Sequence, residues 1–317
     1  MSHILSLIIL LAFLFAGMIL GKIRRLAESK APQLLLEISL YFLLFFMGFR
    51  IGRNDEVASR IGDIGILSVV FAGATAAGTI LVLVLVYLVG GRRLANRSSS
   101  EAEEIGPVPG GAVRRFFTHL KDPLKLFLIV ILGFLIGFLV PLFPGFTGSG
   151  MTTWMVYILL LLVGIQLSGN GVRIGKVLLH PETLVLPVGT VAGSLLGGFA
   201  VSMLFSIPLG RSLAVASGFG WYSLSGVIIT DLGDPVLGSA AFISNMLRES
   251  MALLVIPFFG ATRFRHVGIG VAGATSMDVT LPLIERSCGA RSVPLAVTHG
   301  GILSLLVPIL VPVFFHA

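Results

Sequence analysis

The sequence predicts an all-α integral membrane protein with eight transmembrane helices, two further re-entrant or broken segments, and an inverted internal repeat. Three observations predict it. The chain of 317 residues is 56% hydrophobic and 12% charged, with a mean hydropathy of +1.01, whereas soluble domains carry about 25% charged residues. Its apolar residues fall in runs that match the span of a hydrocarbon core, which takes about 20 residues of helix. The chain also matches itself at an offset of 116 residues, which lays YFLLFFMG at 41–48 over YILLLLVG at 157–164.

The strong runs cover 4–21, 34–51, 64–89, 124–143, 152–168, 184–206, 236–259 and 293–315. The first is followed by Lys22, Arg24, Arg25 and Lys30 and preceded by no basic region, the wrong polarity for a cleavable signal peptide. It carries Gly17 and Gly21, and the fourth carries Gly133 and Gly137 at the same offset. A small residue every fourth position suits close helix packing, either within the chain or in a homodimer. Asn54 falls over Asn170 at that offset too. Equivalent spans are three crossings apart, and an odd number turns the second copy upside down, an arrangement that recurs in secondary transporters. The organisation that follows is a first three-helix unit at 1–91, a polar cytoplasmic loop at 92–123, a second, inverted unit at 124–208, and a region at 209–317 that carries the working site. The loop holds SSSEAEE and PVPGG, and 113–120 within it suits a short helix on the membrane surface.

Two weaker runs, 213–231 and 268–285, are rich in Gly, Ser, Thr and Pro and read as segments that dip in and return. Basic residues support that reading, because cytoplasmic loops collect Lys and Arg. With both segments re-entrant and both termini outside, 17 basic residues fall inside and 4 outside, and Arg248 lies within a span; a full crossing at 213–231 would put Arg263 and Arg265 outside. The net charge of +7 is spread between spans, so it points to no nucleic acid. The single cysteine, Cys288, forms no intramolecular disulfide and reads as a structural thiol, and no cluster of Cys and His suggests a metal or cofactor.

The chemistry concentrates after residue 213. A carboxylate at a helix centre in lipid costs about 2.5 to 3.5 kcal/mol on insertion scales, so it persists where water, a partner or a cation meets it. In ASGFGWYSLSG at 216–226, glycines with Ser223 and Ser225 suit an unwound backbone facing a cavity, and Trp221 and Tyr222 fit either a binding wall or an interface anchor. Asp231 follows, as a site carboxylate or a loop residue. In the seventh span, Asn245 and Glu249 share a helical face, so the amide suits holding the carboxylate and its ligand, while Arg248 points about 100° away. In GATSMDVTLP at 273–282, Asp278 stands among Thr275, Ser276 and Thr280, which fits a cation-binding tip and equally an N-cap. His299 in the last span fits a proton relay or a histidine bonded between helices.

Taken together, ASGFGWYSLSG, DPVLGSAAF at 234–242, the Arg248-Glu249 pair, GATSMDVTLP and HGGILSLLVPIL at 299–310 resemble the bacterial lysine exporter family, the LysO type. The resemblance is dense from 213 to 315 and looser before, where the motif at 41–48 and VGIQL at 163–167 also match. It implies an inner-membrane exporter of L-lysine and its toxic analogue thialysine, with intramembrane acidic residues needed for transport. These correspond best to Glu249 and Asp278, with Asp231 where the family tends to be acidic. The expected mechanism is exchange of lysine for protons at these carboxylates. A sodium-coupled carrier of another organic solute fits the same hydroxyls and carboxylates, and a serine hydrolase built on Ser225 and His299 is the reading from a different class.

Overall fold

A computed structural model describes residues 2–23, 30–53, 61–89, 121–139, 149–169, 181–260 and 262–317, and every regular element among them is helical. In chain order these are α1 (Ser2–Leu20), α2 (Lys30–Gly52), α3 (Ile61–Val89), α4 (Lys121–Leu139), α5 (Ser149–Gly169), α6 (Pro181–Phe205), α7 (Leu209–Ala216), α8 (Tyr222–Asp231), α9 (Pro235–Gly260), α10 (Arg265–Ala272), α11 (Leu281–Cys288) and α12 (Val293–Phe315), with 3-10 turns at Gly273–Met277 and Ala290–Ser292. Each predicted strong run lies on one long helix; the fourth is helical to Leu139, and 140–143 lies outside the described residues. Ile64–Val89, Leu184–Phe205, Pro235–Gly260 and Val293–Phe315 are long and apolar enough to cross a membrane, and shorter apolar helical stretches occur at Leu34–Phe46, Leu128–Leu139 and Trp154–Ile165. The polar loop at 92–120, with its expected surface helix, and the Asn54 and Asn170 match also lie outside the described residues.

Glycines set which helices touch. Gly17 of α1 and Gly21, just past its end, sit against the backbone of Leu161 and Ile165 of α5, so closely that a Cβ on Gly21 would lie 2.6 Å from the Ile165 carbonyl oxygen. The face that suited a homodimer is therefore used within the chain. Gly133 and Gly137 of α4 sit in the same way against Phe45 and Phe49 of α2. In both pairs the contacts advance together along the two helices, so each pair runs parallel. The third pair differs: Gly193 of α6 meets Gly78 of α3 and Gly197 meets Ala74, so contacts advance in opposite directions and α3 and α6 are antiparallel. Hydroxyls on α3 fold back on their own helix, Thr75 Oγ1 donating to Phe71 O (2.8 Å) and Thr79 Oγ1 to Thr75 O (2.8 Å), which satisfies them in apolar surroundings.

The two weak runs are helical hairpins. In the first, α7 and α8 flank a turn at 217–221, and the open ends are tied by an ion pair between Arg211 Nη1 and Asp234 Oδ2. Arg211 also lies over the Phe315 ring at the end of α12 (5.2 Å). In the second, α10 and α11 flank the 3-10 turn, and Arg265 Nη1 donates to Cys288 O (3.3 Å) across the open end while the Cys288 thiol faces Arg265 O (3.7 Å). The first hairpin opens beside Pro235, the start of α9; the second opens beside Gly260, its end, where Gly260 packs on Ser287. A 26-residue helix is about 39 Å long, so the hairpins enter from opposite ends of the bundle. Their tips meet: Ala274 N donates to Phe219 O (2.9 Å). The tips need glycine, because Gly220 (φ 88°) and Gly273 (φ 66°) adopt left-handed backbone and Gly273 abuts the Phe219 carbonyl.

Candidate functional site

Where the tips meet lies a partly open cavity of ≈ 190 Å³. The first hairpin contributes Trp221, Tyr222 and Ser223, the start of α8. The second contributes Ala274, Thr275, Met277, Asp278 and Val279. Glu249 reaches the cavity from α9 and Ser304 from α12, and the remaining wall is apolar: Leu36 and Leu40 of α2, Leu126 of α4 and Val163 of α5. Both opposed hairpins and both N-terminal three-helix groups therefore face one chamber. Its size falls below the roughly 300 to 1,000 Å³ of drug-sized sites and suits a small solute.

Each polar group is held by a local cause. Glu249 is 1% exposed on a helix that turns Arg248 the other way. Asp278 follows the 3-10 turn with φ −135° and ψ −87°, is exposed, and accepts a hydrogen bond at Oδ1 from Val279 N (2.6 Å). It is not an N-cap, since Thr280 occupies that position of α11. Thr275 Oγ1 donates to Ala272 O (3.0 Å) and its carbonyl accepts from Thr280 Oγ1 (2.9 Å), which closes the turn that presents Asp278. Tyr222 is 7% exposed and stands edge-on to Phe242 (5.4 Å), so it and Trp221 serve as cavity wall and not as interface anchors.

Of the eleven residues the sequence singled out, Trp221, Tyr222, Ser223, Glu249, Thr275 and Asp278 meet at the cavity, and Asn245, Ser225, Ser276, Asp231 and His299 do not line it. The expectation that Asn245 steadies the Glu249 carboxylate is corrected. Asn245 Oδ1 accepts from Gly220 N (2.8 Å), and Nδ2 donates to Ala241 O (2.9 Å), with longer contacts of 3.4 Å to Val215 O and Ser225 Oγ, so the amide holds the first hairpin's turn. Ser225 Oγ donates to Trp221 O (2.9 Å). His299 pairs with Thr190 Oγ1 through Nε2 (3.0 Å) and with Ser276 Oγ through Nδ1 (3.0 Å), fully buried. Ser225 and His299 thus bond to different partners. Asp231 closes α8 at the far end from the cavity.

Two features escaped the sequence reading. Ser304 lines the cavity, 1% exposed, and among the described residues its Oγ has no hydrogen-bond partner. The other is the environment of Arg248, also 1% exposed. Its guanidinium donates to Thr79 Oγ1 of α3 (3.1 Å), Ser194 Oγ of α6 (2.7 Å) and Val271 O of α10 (3.2 Å). Thr79 and Ser194 close TAAGT at 75–79 and TVAGS at 190–194, equivalent motifs at an offset of 115. That offset, one less than 116, was the available signal.

Apolar helices that bring two opposed hairpins onto a carboxylate-lined chamber define a multi-pass membrane protein with a polar site between the hairpin tips. Comparison with known proteins supplies the family. The family model described as Lysine exporter LysO matches residues 11–101 and 127–315, so the chain belongs to the LysO lysine exporter family. It is 36% identical over 310 residues to the Lysine exporter LysO of Escherichia coli (strain K12), covering 98% of each chain. It is 38% identical over 188 residues to a Putative lysine exporter of Haemophilus influenzae, covering 59% of this chain and 95% of that protein.

Proposed function

We propose that this chain exports L-lysine, and with it thialysine, across the bacterial inner membrane in exchange for protons. The observation that carries the reading is the convergence of Glu249 and Asp278 on one chamber between hairpin tips that enter from opposite ends. Lysine carries one net positive charge at neutral pH, and moving it out against an inside-negative potential costs about 2.3 kcal/mol per 100 mV. Exchange for one proton moves no net charge. A carboxylate that holds either an ammonium or a proton couples the two fluxes by competition, loading from inside and releasing when protonated from outside.

The packing of the first six helices supports an inverted repeat. Gly17 on Leu161 and Gly133 on Phe45 are one contact seen twice at an offset of 116, as are Gly21 on Ile165 and Gly137 on Phe49. A repeat of unchanged orientation would set α5 antiparallel to α1, because it would run as α2 does; the parallel pairing supports the flipped copy. Units at 1–91 and 124–208 then exchange conformations around the site carried by 209–317, with both hairpins re-entrant and both termini outside. The second hairpin opens on the side that gathers Arg263, Arg265, Arg286 and Arg291, in accord with a cytoplasmic face.

The test is efflux of labelled lysine from proteoliposomes under an imposed pH gradient. Flux should follow the gradient and be lost in Glu249→Gln and Asp278→Asn, and the same variants should abolish thialysine resistance in cells while the protein stays in the membrane. Wild-type flux in both variants would overturn the carboxylate reading. Ser223 and Thr275 beside Asp278 also offer oxygen donors of the kind sodium takes, so flux that followed sodium and ignored pH would replace the proton with that ion.

A further inference from the structure

Besides the carboxylates of Glu249 and Asp278, the chamber receives the start of the ten-residue helix α8, with Trp221 and Ser223 at the wall. Trp221 caps α8 without a side-chain hydrogen bond. First-turn amides have no acceptor within their own helix, and the helix dipole adds partial positive charge there. Those of Ser223 and Leu224 fall in that turn. A helix start alone marks no site. The second observation is Ser304, 99% buried on α12, which packs against α8: the residue lines the same chamber, and its buried hydroxyl has no hydrogen-bond partner among the described residues. Other buried hydroxyls nearby are occupied, Ser225 by Trp221 O, Ser276 by Ala296 O and Thr275 by Ala272 O. A buried hydroxyl left open costs free energy comparable to a lost hydrogen bond, which a ligand restores.

We infer that the start of α8 and the Ser304 hydroxyl form the subsite for the α-carboxylate of the transported solute. The inference rests on the exporter reading and deepens it, because it fixes the substrate class. A diamino acid offers two ammonium groups and one carboxylate; the chamber offers two carboxylates and one donor pole. The groups match one for one, which selects α-amino acids with a second, terminal ammonium over diamines, which lack the anion, and over neutral amino acids, which lack the second cation. Anion capture at a helix start needs no cationic side chain, which fits a chamber with no Lys or Arg among its described lining residues.

The test is competition binding on the purified full chain with labelled lysine displaced by lysine, lysinamide, cadaverine or norleucine. Wild-type protein should bind lysinamide and cadaverine about ten- to a hundredfold more weakly than lysine, the size of one hydrogen bond to a charged group. Ser304→Ala should weaken lysine by about tenfold and leave cadaverine and lysinamide unchanged, and Ser304→Thr, which keeps the hydroxyl, should retain the preference for lysine. Cadaverine bound as tightly as lysine by wild type would overturn the proposal, as would equal weakening of all ligands in Ser304→Ala. If Ser304→Ala does not yield folded protein, loss of the lysine preference in Ser304→Thr would also count against it. Glu249→Gln and Asp278→Asn separate this from the underlying reading: they should weaken lysine and cadaverine together, and unaltered binding there would reject the carboxylate sites while leaving the Ser304 result to stand or fall alone.

Discussion

Replacing Gly193 with alanine should separate the two helices that Arg248 joins. A Cβ there would lie 2.5 Å from Gly78 O, 2.5 Å from Thr79 Cα and 2.7 Å from Thr79 N, all of them backbone atoms that no rotamer change can move. Non-bonded heavy atoms settle at about 3.5 Å, so α3 and α6 must part by about 1 Å. Overpacking of this kind costs about 1 to 3 kcal/mol. The separation also stretches the Arg248 bridge, whose arms reach Ser194 at 2.7 Å and Thr79 at 3.1 Å; losing one of these adds about 1.5 to 3 kcal/mol, the worth of a hydrogen bond from a charged group. The sum is about 2.5 to 6 kcal/mol. At roughly 2 to 4 °C per kcal/mol for a large domain, the midpoint of thermal unfolding in detergent should fall by about 5 °C or more. Gly73 on the same α3 is the control, because a Cβ there meets nothing within 4 Å; Gly73→Ala should unfold at or above the wild-type temperature, given alanine's higher helix propensity. A Gly193→Ala protein as stable as wild type, or a Gly73→Ala protein that drops as far, would refute the account of how α3 and α6 are joined.

The polar residues outside the chamber carry their own expectations. Asn245→Leu leaves Gly220 N without its acceptor, at a cost of about 1 to 3 kcal/mol, and hydrogen exchange at 218–225 should accelerate while the second hairpin is unchanged; uniform protection would count against a holding role for the amide. His299→Gln keeps a donor and an acceptor between Thr190 and Ser276 and should retain lysine flux with its pH response intact. Loss of the pH response alone in that variant would return His299 to the proton pathway.

Much of the architecture was readable because membranes make composition informative. Apolar runs map onto long helices, and the two glycine- and hydroxyl-rich runs became hairpins for the reason their composition suggested: small residues allow the turns at 217–221 and 273–277, and the flanking helices of eight to ten residues are too short to span a bilayer. Glu249 and Asp278 were readable because a carboxylate in such a run demands a special environment. Asn245 misled for a specific reason. Spacing of four places two residues on one helical face, but it says nothing about which neighbour crosses that face, and the first hairpin's turn crosses at Asn245 and leaves Glu249 to the cavity. Ser304 gave no signal at all, since a serine in an apolar helix ordinarily bonds back to its own backbone.

Thr79 and Ser194, the residues that hold Arg248, stand 115 positions apart and not 116. Gly78 lies 37 positions after Tyr41 and Gly193 lies 36 after Tyr157, so the motifs on α3 and α6 slip by one against an offset of 116. A one-residue slip turns a helix by about 100°, which would ruin a match if both copies had to present one face to a shared partner. Here each third helix instead sets its own motif against the other: Gly78 meets Gly193, and Thr79 and Ser194 share one guanidinium. The connection between second and third helices can therefore change length while the contact between the units stays intact. Repeats that meet at their own equivalent positions are best sought helix by helix, with the offset free to change at every loop.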